Sequence, residues 1–149
     1  MDMRRRHYAC LWSALLLAMP AVALDYASVA VPAAILYDLP SKTAKKLYLI
    51  RAQTPVEIVV RQQGWLRVRD AEGGLAWIEG RQLAEQRTLQ VISSSAEIRQ
   101  EARAESAVLA ELAKGVVVEF LEIADAGWVK VRHRDGVTGY VRKTQIWGL

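Results

Sequence analysis

The chain has 149 residues, with 20 lysines and arginines against 16 aspartates and glutamates, a formal net charge of +4, and 52% apolar residues. So small a basic excess gives poor support to a nucleic-acid partner, and no low-complexity tract departs from the composition of an ordinary folded protein. A single cysteine leaves no pair to form a disulfide, and once the first 23 residues are removed His133 alone cannot make up a Cys and His ligand set for a catalytic zinc.

Taken from the start, Arg4, Arg5 and Arg6 precede the apolar run Leu11 to Met19, and Ala21-Val22-Ala23 supplies the small residues that a signal peptidase needs. The run from Leu11 to Leu24 is short of the ~20 apolar residues that span a bilayer, and Pro20 and Asp25 close it. Residues 1–23 therefore read as a cleaved secretory signal, which places the mature protein in the periplasm with no stable membrane span. Cys10 precedes the apolar run and leaves with the signal, as does His7, so the mature chain keeps His133 alone.

From Leu24 onward the chain repeats itself. Ile35-Leu36-Tyr37-Asp38, Lys46 to Ile50 and Val56 to Val60 lie over Glu97-Ile98-Arg99-Gln100, Val108 to Leu112 and Val118 to Glu122. The stretch from Gly64-Trp65-Leu66-Arg67-Val68-Arg69 to Leu83 superposes without a gap on Gly127-Trp128-Val129-Lys130-Val131-Arg132 to Ile146. The offset grows by one between these blocks, and the extra residue falls in Ala124-Asp125-Ala126. Short Val-, Ile- and Leu-rich runs separated by Pro40-Ser41, Thr54-Pro55, Gln63-Gly64, Lys114-Gly115 and similar turn formers predict five strands per copy. Glu101 to Leu112 is rich in helix formers, but its counterpart carries Pro40, Thr43 and Tyr48, so both segments read as an irregular loop leading into a strand. The first domain is placed at 24–84 and the second at 88–149, joined by Ala84-Glu85-Gln86-Arg87. Two cysteine-free domains of this size are expected to support each other, with Trp147 as a large ring to bury.

These residues resemble the bacterial SH3-like domain, a small five-stranded barrel often found exported and in tandem. The resemblance rests on Leu109 to Gly115, Val118-Glu119-Phe120-Leu121, Gly127-Trp128-Val129-Lys130-Val131-Arg132 and Asp135-Gly136 followed by Gly139-Tyr140-Val141, each in order and seen twice. It covers roughly Ser28 to Leu83 and Thr88 to Ile146. The whole chain also looks like exported tandem proteins of Gram-negative bacteria with a similar Trp-Gly-Leu end. The fold implied is all-β, two tandem five-stranded barrels after a signal peptide. Trp65 and Trp128 match the groove Trp of the eukaryotic domains and Tyr37 the first-strand Tyr, but Arg99 replaces that Tyr in copy two. Neither copy has the Pro-Ser-Asn-Tyr close, so a polyproline ligand, which docks on a wall of rings, is not expected. For bacterial members the resemblance implies binding of cell-wall peptides or of envelope proteins, without catalysis.

The residues themselves point the same way. The sequence holds no Gly-x-Ser-x-Gly or phosphate-loop pattern and no cofactor motif, and Glu57, Glu119 and Glu122 alternate along strands as exposed residues do. Strand alternation sends Val68, Ile78, Val131 and Val141 inward and Trp65, Arg67, Arg69, Trp128, Lys130 and Arg132 outward. With turns centred near residues 71 and 134, Trp65 is expected opposite Trp77 and Trp128 opposite Tyr140. The candidate binding residues are therefore Trp65, Arg67, Trp77, Trp128, Lys130, Arg132 and Tyr140, rings for a sugar face or side chain and charges for a carboxylate. The same rings equally suit a structural seam between the domains. Lys130, Arg132, His133, Arg134, Arg142 and Lys143, opposed only by Asp135 in that hairpin, favour an anionic partner. Two readings stay open: a module that binds cell-wall peptides, and an adaptor that docks another envelope protein without a small-ligand site.

Overall fold

Alternating apolar residues bounded by turn formers become strands in both copies, and a computed structural model describes them over residues 24–125 and 127–149. The signal read at 1–23 lies outside the described residues. The first copy runs β1 (Tyr26–Val29), β2 (Ala33–Tyr37), β3 (Lys46–Arg51), β4 (Pro55–Gln62), β5 (Trp65–Arg69), β6 (Leu75–Glu79) and β7 (Leu83–Ala84). The second runs β8 (Thr88–Val91), β9 (Ser95–Arg99), β10 (Val108–Ala113), β11 (Val117–Asp125), β12 (Trp128–Arg132), β13 (Thr138–Arg142) and β14 (Ile146–Trp147). The orders are the same, β3-β2-β6-β5-β4-β1-β7 and β10-β9-β13-β12-β11-β8-β14. The five expected strands of each copy are present. A short strand before them and a two-residue strand after them complete each seven-stranded antiparallel sheet.

Each sheet wraps its own core. Leu36, Val56, Val68 and Ile78 fill the first, and Leu89, Ile98, Val118, Val129, Val131 and Val141 the second, all essentially inaccessible to solvent. The inward residues expected from alternation are thus the ones buried. Gly139 occupies the place of Ala76, and a Cβ there would lie 2.7 Å from Ile98 Cγ2 and against the Arg99 carbonyl, so only glycine fits in copy two.

The extra residue of copy two sits in the strand, not in the turn. Both β4–β5 and β11–β12 close with two residues, since Gln62 pairs with Trp65 and Asp125 with Trp128; in the first, Gln63 and Gly64 hold φ 45° and 84°, as a type I′ turn requires. The β4–β5 ladder slips once, between Ile58 and Val60, whereas β11–β12 slips twice, between Phe120 and Glu122 and again between Ile123 and Asp125. A second β-bulge at Ala124 therefore absorbs the insertion.

The hairpin turns carry three residues each. Gly73 N–H donates to Asp70 O at 3.0 Å and Asp70 N–H to Gly74 O at 3.0 Å, with Gly73 at φ 88°. Gly136 N–H to His133 O and His133 N–H to Val137 O repeat this at 2.9 and 2.8 Å. In copy one the Asp70 carboxylate knits the loop, accepting the Gly74 and Glu72 N–H groups and the Tyr48 hydroxyl at 2.7 Å. Burial first, and then this bond to Asp70, push the Tyr48 phenol well above its ordinary range. Its folded-state value is raised, so this contribution to stability is complete below the unfolded tyrosine value, near 10, and is lost as pH climbs beyond it.

The two copies meet at the linker, which shortens to Glu85–Arg87 because Ala84 pairs with Ser28. Arg87 lies between the rings of Tyr26 (5.5 Å) and Phe120 (5.3 Å) and donates to Gly148 O at 2.8 Å. Trp147 packs edge-on against Tyr26 at 5.2 Å, and Thr88 Oγ1 donates to Gln53 O at 2.7 Å. Stacked arginine and T-shaped aromatic contacts are each worth on the order of 1 kcal/mol. The two copies are therefore expected to unfold in one transition, and Arg87→Ala to lower stability by about 1–2 kcal/mol and separate the transition into two in a calorimetric scan. Either copy expressed alone should melt below the intact protein.

Candidate functional site

The outer face of the two β-hairpins carries the residues singled out in the sequence, but in a different pairing. Because each turn holds three residues, Arg69 pairs with Leu75 and Arg132 with Thr138. Trp65 thus stands opposite Glu79, not Trp77, and Trp128 opposite Arg142, not Tyr140. The residues across from Trp77 and Tyr140 are Arg67 and Lys130.

In copy one this register builds a row. Tyr37 on β2 pairs with Trp77 on β6, and Trp77 with Arg67 on β5. Trp65 turns its ring edge-on to Tyr37, with centroids 5.5 Å apart and planes at 87°. Tyr37 is buried beneath, Trp65 and Trp77 are half-buried, and Arg67 is exposed with no ion-pair partner among the described residues. Across from Trp65, Glu79 is held below the usual carboxylate range, first by its hydrogen bond from Arg81 at 2.8 Å and also by Lys42 at 3.6 Å. A half-buried aromatic wall beside a free guanidinium can receive a flat apolar group and hold a carboxylate.

Copy two differs at each of these positions. Arg99 replaces Tyr37, and its guanidinium is occupied by Glu97 and by Ser106 O at 2.7 Å. Lys130 Nζ sits 5.9 Å from the Tyr140 ring centre and 3.8 Å from Glu122. Trp128 is only 7% exposed, with the Arg142 guanidinium 4.7 Å over its ring, so it is a packing residue. Arg132 pairs with Glu119 at 3.3 Å and His133 Nδ1 lies 2.8 Å from Asp135. Three of the six residues expected to draw an anionic partner are thus opposed by acidic side chains, while Arg134, Arg142 and Lys143 have no ion-pair partner among the described residues. β11 brings Glu119 and Glu122 across from the hairpin, and Glu101, Glu122 and Asp125 line the shallow cleft of about 460 Å³ beside Tyr140. Glu57, expected on the surface, is buried beside Tyr26 of β1 and bonded to Arg69 at 2.9 Å.

The structure thus brings together Trp65, Arg67 and Trp77 and adds Tyr37, which the sequence marked only as a likeness to a groove tyrosine. Lys130 and Tyr140 form a second, cation-capped pair, while Trp128 and Arg132 are engaged elsewhere. Among the described residues no group of three or more His, Cys, Asp or Glu side chains is placed to hold a metal ion, and no helix is long and apolar enough to cross a membrane.

Comparison with known proteins gives one family and a few distant folds. The bacterial SH3 domain family matches residues 30–85 and again residues 93–148. No curated protein matches the chain. Among solved structures, NlpC2 from Trichomonas vaginalis is 16% identical with a TM-score of 0.39, covering 84% of this chain and 48% of that one. NlpC1 from the same organism is 17% identical with a TM-score of 0.40, at 91% and 50% coverage. An NlpC/P60 family protein from Bacillus cereus is 15% identical with a TM-score of 0.38, at 82% and 55% coverage. The chain spans about half the length of these structures.

The two tryptophans of the repeated hairpin should respond differently to truncation. Trp128→Ala is expected to cost about 3 kcal/mol or more in chemical denaturation, as for a buried ring, whereas Trp77→Ala on the half-exposed row should cost less than half of that.

Proposed function

The chain belongs to the bacterial SH3 domain family and carries the domain twice; from that premise we propose that it is an exported, non-catalytic binding protein that holds peptide segments of the cell wall on the outer face of its first hairpin. The observation that carries this reading is the row of Tyr37, Trp77 and Arg67 with Trp65 set against it. Trp65 and Trp77 are half-buried over the buried Tyr37, so a ligand that covers the two indoles gains apolar contact with little loss of side-chain freedom. Arg67 has no competing ion pair among the described residues, so its fork is free to take a carboxylate, the group that ends a peptide and recurs along acidic ones.

The composition supports the absence of catalysis. The only cysteine is Cys10, in the segment read as a cleaved signal, and His133 is set against Asp135 in a turn. That signal is also the basis for proposing a periplasmic location, and N-terminal sequencing that begins at or near Leu24 is its test.

Co-sedimentation with purified sacculi tests the binding itself. The protein is expected to pellet with them, and Arg67→Ala or Trp77→Ala to weaken the retention by roughly tenfold or more, the usual consequence of removing a central Arg or Trp contact. Lys130→Ala should change it little. A protein that stays in the supernatant would favour the adaptor reading, in which the same face docks an envelope protein.

A further inference from the structure

Each sheet carries one row of cross-strand partners that runs over five strands. In copy one it reads Lys46 on β3, Tyr37 on β2, Trp77 on β6, Arg67 on β5 and Val60 on β4. In copy two the same places hold Val108, Arg99, Tyr140, Lys130 and Glu122. Residues paired directly across strands share a face, so each row is one line of side chains on one surface. The row of copy one sets two rings between two cations. That of copy two begins with a valine and ends with a glutamate.

The cations of the two rows have different company. In copy two each has its own acid: Arg99 is held by Glu97, and Lys130 lies 3.8 Å from Glu122. In copy one Lys42, Arg61, Arg69 and Arg81 are ion-paired, but Lys46 and Arg67 have no such partner among the described residues. Val60 stands where a glutamate would neutralise Arg67. The apolar trough that Lys46 lines with Ile35, Leu47, Tyr48 and Leu49 includes no acidic side chain. Asp38 is turned to the Lys45 N–H at 3.0 Å, and Glu79 is engaged by Arg81 and Lys42. Three strand spacings of about 4.8 Å set Lys46 and Arg67 about 14 Å apart along the row, well beyond the ~8 Å screening length at physiological salt. Two carboxylates, and not one, satisfy both cations without drawing either side chain across the rings.

We propose that the ligand of this face is a doubly acidic peptide, an extended segment that crosses the strands with one carboxylate on Arg67, another on Lys46 and an apolar side chain between them on Trp77. The inference rests on the reading of the first hairpin as the binding surface and adds the class of peptide it takes. Four residues of extended chain span about 14 Å, and side chains at even spacing point the same way. Acidic residues at the first and fifth positions and an apolar residue at the third therefore all face the row. A peptide with a single acid leaves one cation unmatched. Arg67 offers a planar fork to its carboxylate, and Lys46 a point charge on a flexible stem that tolerates some variation in spacing.

Isothermal titration of the purified protein with acetylated and amidated pentapeptides at low salt tests this. The peptide with glutamates at both ends and leucine in the middle is expected to bind. Replacing either glutamate by glutamine should weaken it about fivefold, and so should Lys46→Gln in the protein. With one of the two singly substituted peptides Lys46→Gln should cost nothing further, because the contact is already gone. Val60→Glu, which gives copy one the acid that copy two has, should weaken binding as much as Arg67→Ala does, and Val60→Gln should not. The proposal is overturned if the doubly acidic peptide shows no saturation up to ~10 mM, if it binds no better than its singly substituted forms, or if Lys46→Gln or Val60→Glu binds as the parent does. Retention on sacculi that needs Arg67 but not Lys46 would also sink it, while leaving the binding surface itself standing. A protein that takes the peptide yet stays in the supernatant of sacculi supports it, and the ligand is then an acidic segment of an envelope protein.

Discussion

Gly73 and Gly136 each hold a backbone conformation that residues with a side chain resist, and the arrangement of both hairpins follows from that. A left-handed residue at the third loop position closes a type I turn onto the returning strand and fixes which residue faces which. From that register comes the order of the outer face: a ring opposite a cation twice over, Trp77 with Arg67 and Tyr140 with Lys130. Moved by one residue, the pairing would turn the apolar set of the strand outward. The cores built on Val68, Ile78, Val131 and Val141 therefore enforce the same register as the turns.

Duplication gave two copies of one plan, and the differences between them lie where the copies do different work. Asp70, which ties the loop of copy one to the Tyr48 hydroxyl, is replaced by His133, which is tied to Asp135 instead. Tyr37, the base of the aromatic row, is replaced by Arg99, which is occupied by Glu97 and Ser106. Tyr26 and Thr88 occupy corresponding places in β1 and β8, and both serve the seam: the ring receives Trp147 and the hydroxyl reaches Gln53. Identical copies would present the same surface twice; an asymmetric seam needs residues that differ.

Much of this was legible in the sequence, because alternation and turn chemistry are local. The repeat, the five main strands of each copy and the inward-facing residues could all be read from spacing alone. What escaped depended on neighbours remote in the chain. Spacing alone centres the turns near residues 71 and 134, one residue early in each hairpin, whereas the three-residue loops are closed by Arg69 with Leu75 and by Arg132 with Thr138, and the positions facing Trp65 and Trp128 move with them. Glu57 alternates as an exposed residue does, yet β1 lies beside it and Arg69 reaches it, and nothing near Glu57 announces either. Trp128 shares its parity with the outward Lys130 yet is buried, with Arg142 of the next strand lying over its ring. The positive charge of copy two looked unopposed because Glu119 and Glu122 belong to another strand, and only pairing reveals them as counter-ions.

The linker arginine has a consequence for recognition. With Arg87 clasped between Tyr26 and Phe120 and bonded to Gly148 O, the tether between the two domains is a joint with little play. Because the aromatic row stands on the first copy alone, a stiff joint fixes where the second copy lies whenever a ligand is held on the first. The second domain then acts as a fender: a target strand must leave room for it in one set direction, so crowding around the strand and not only its chemistry decides whether it is admitted.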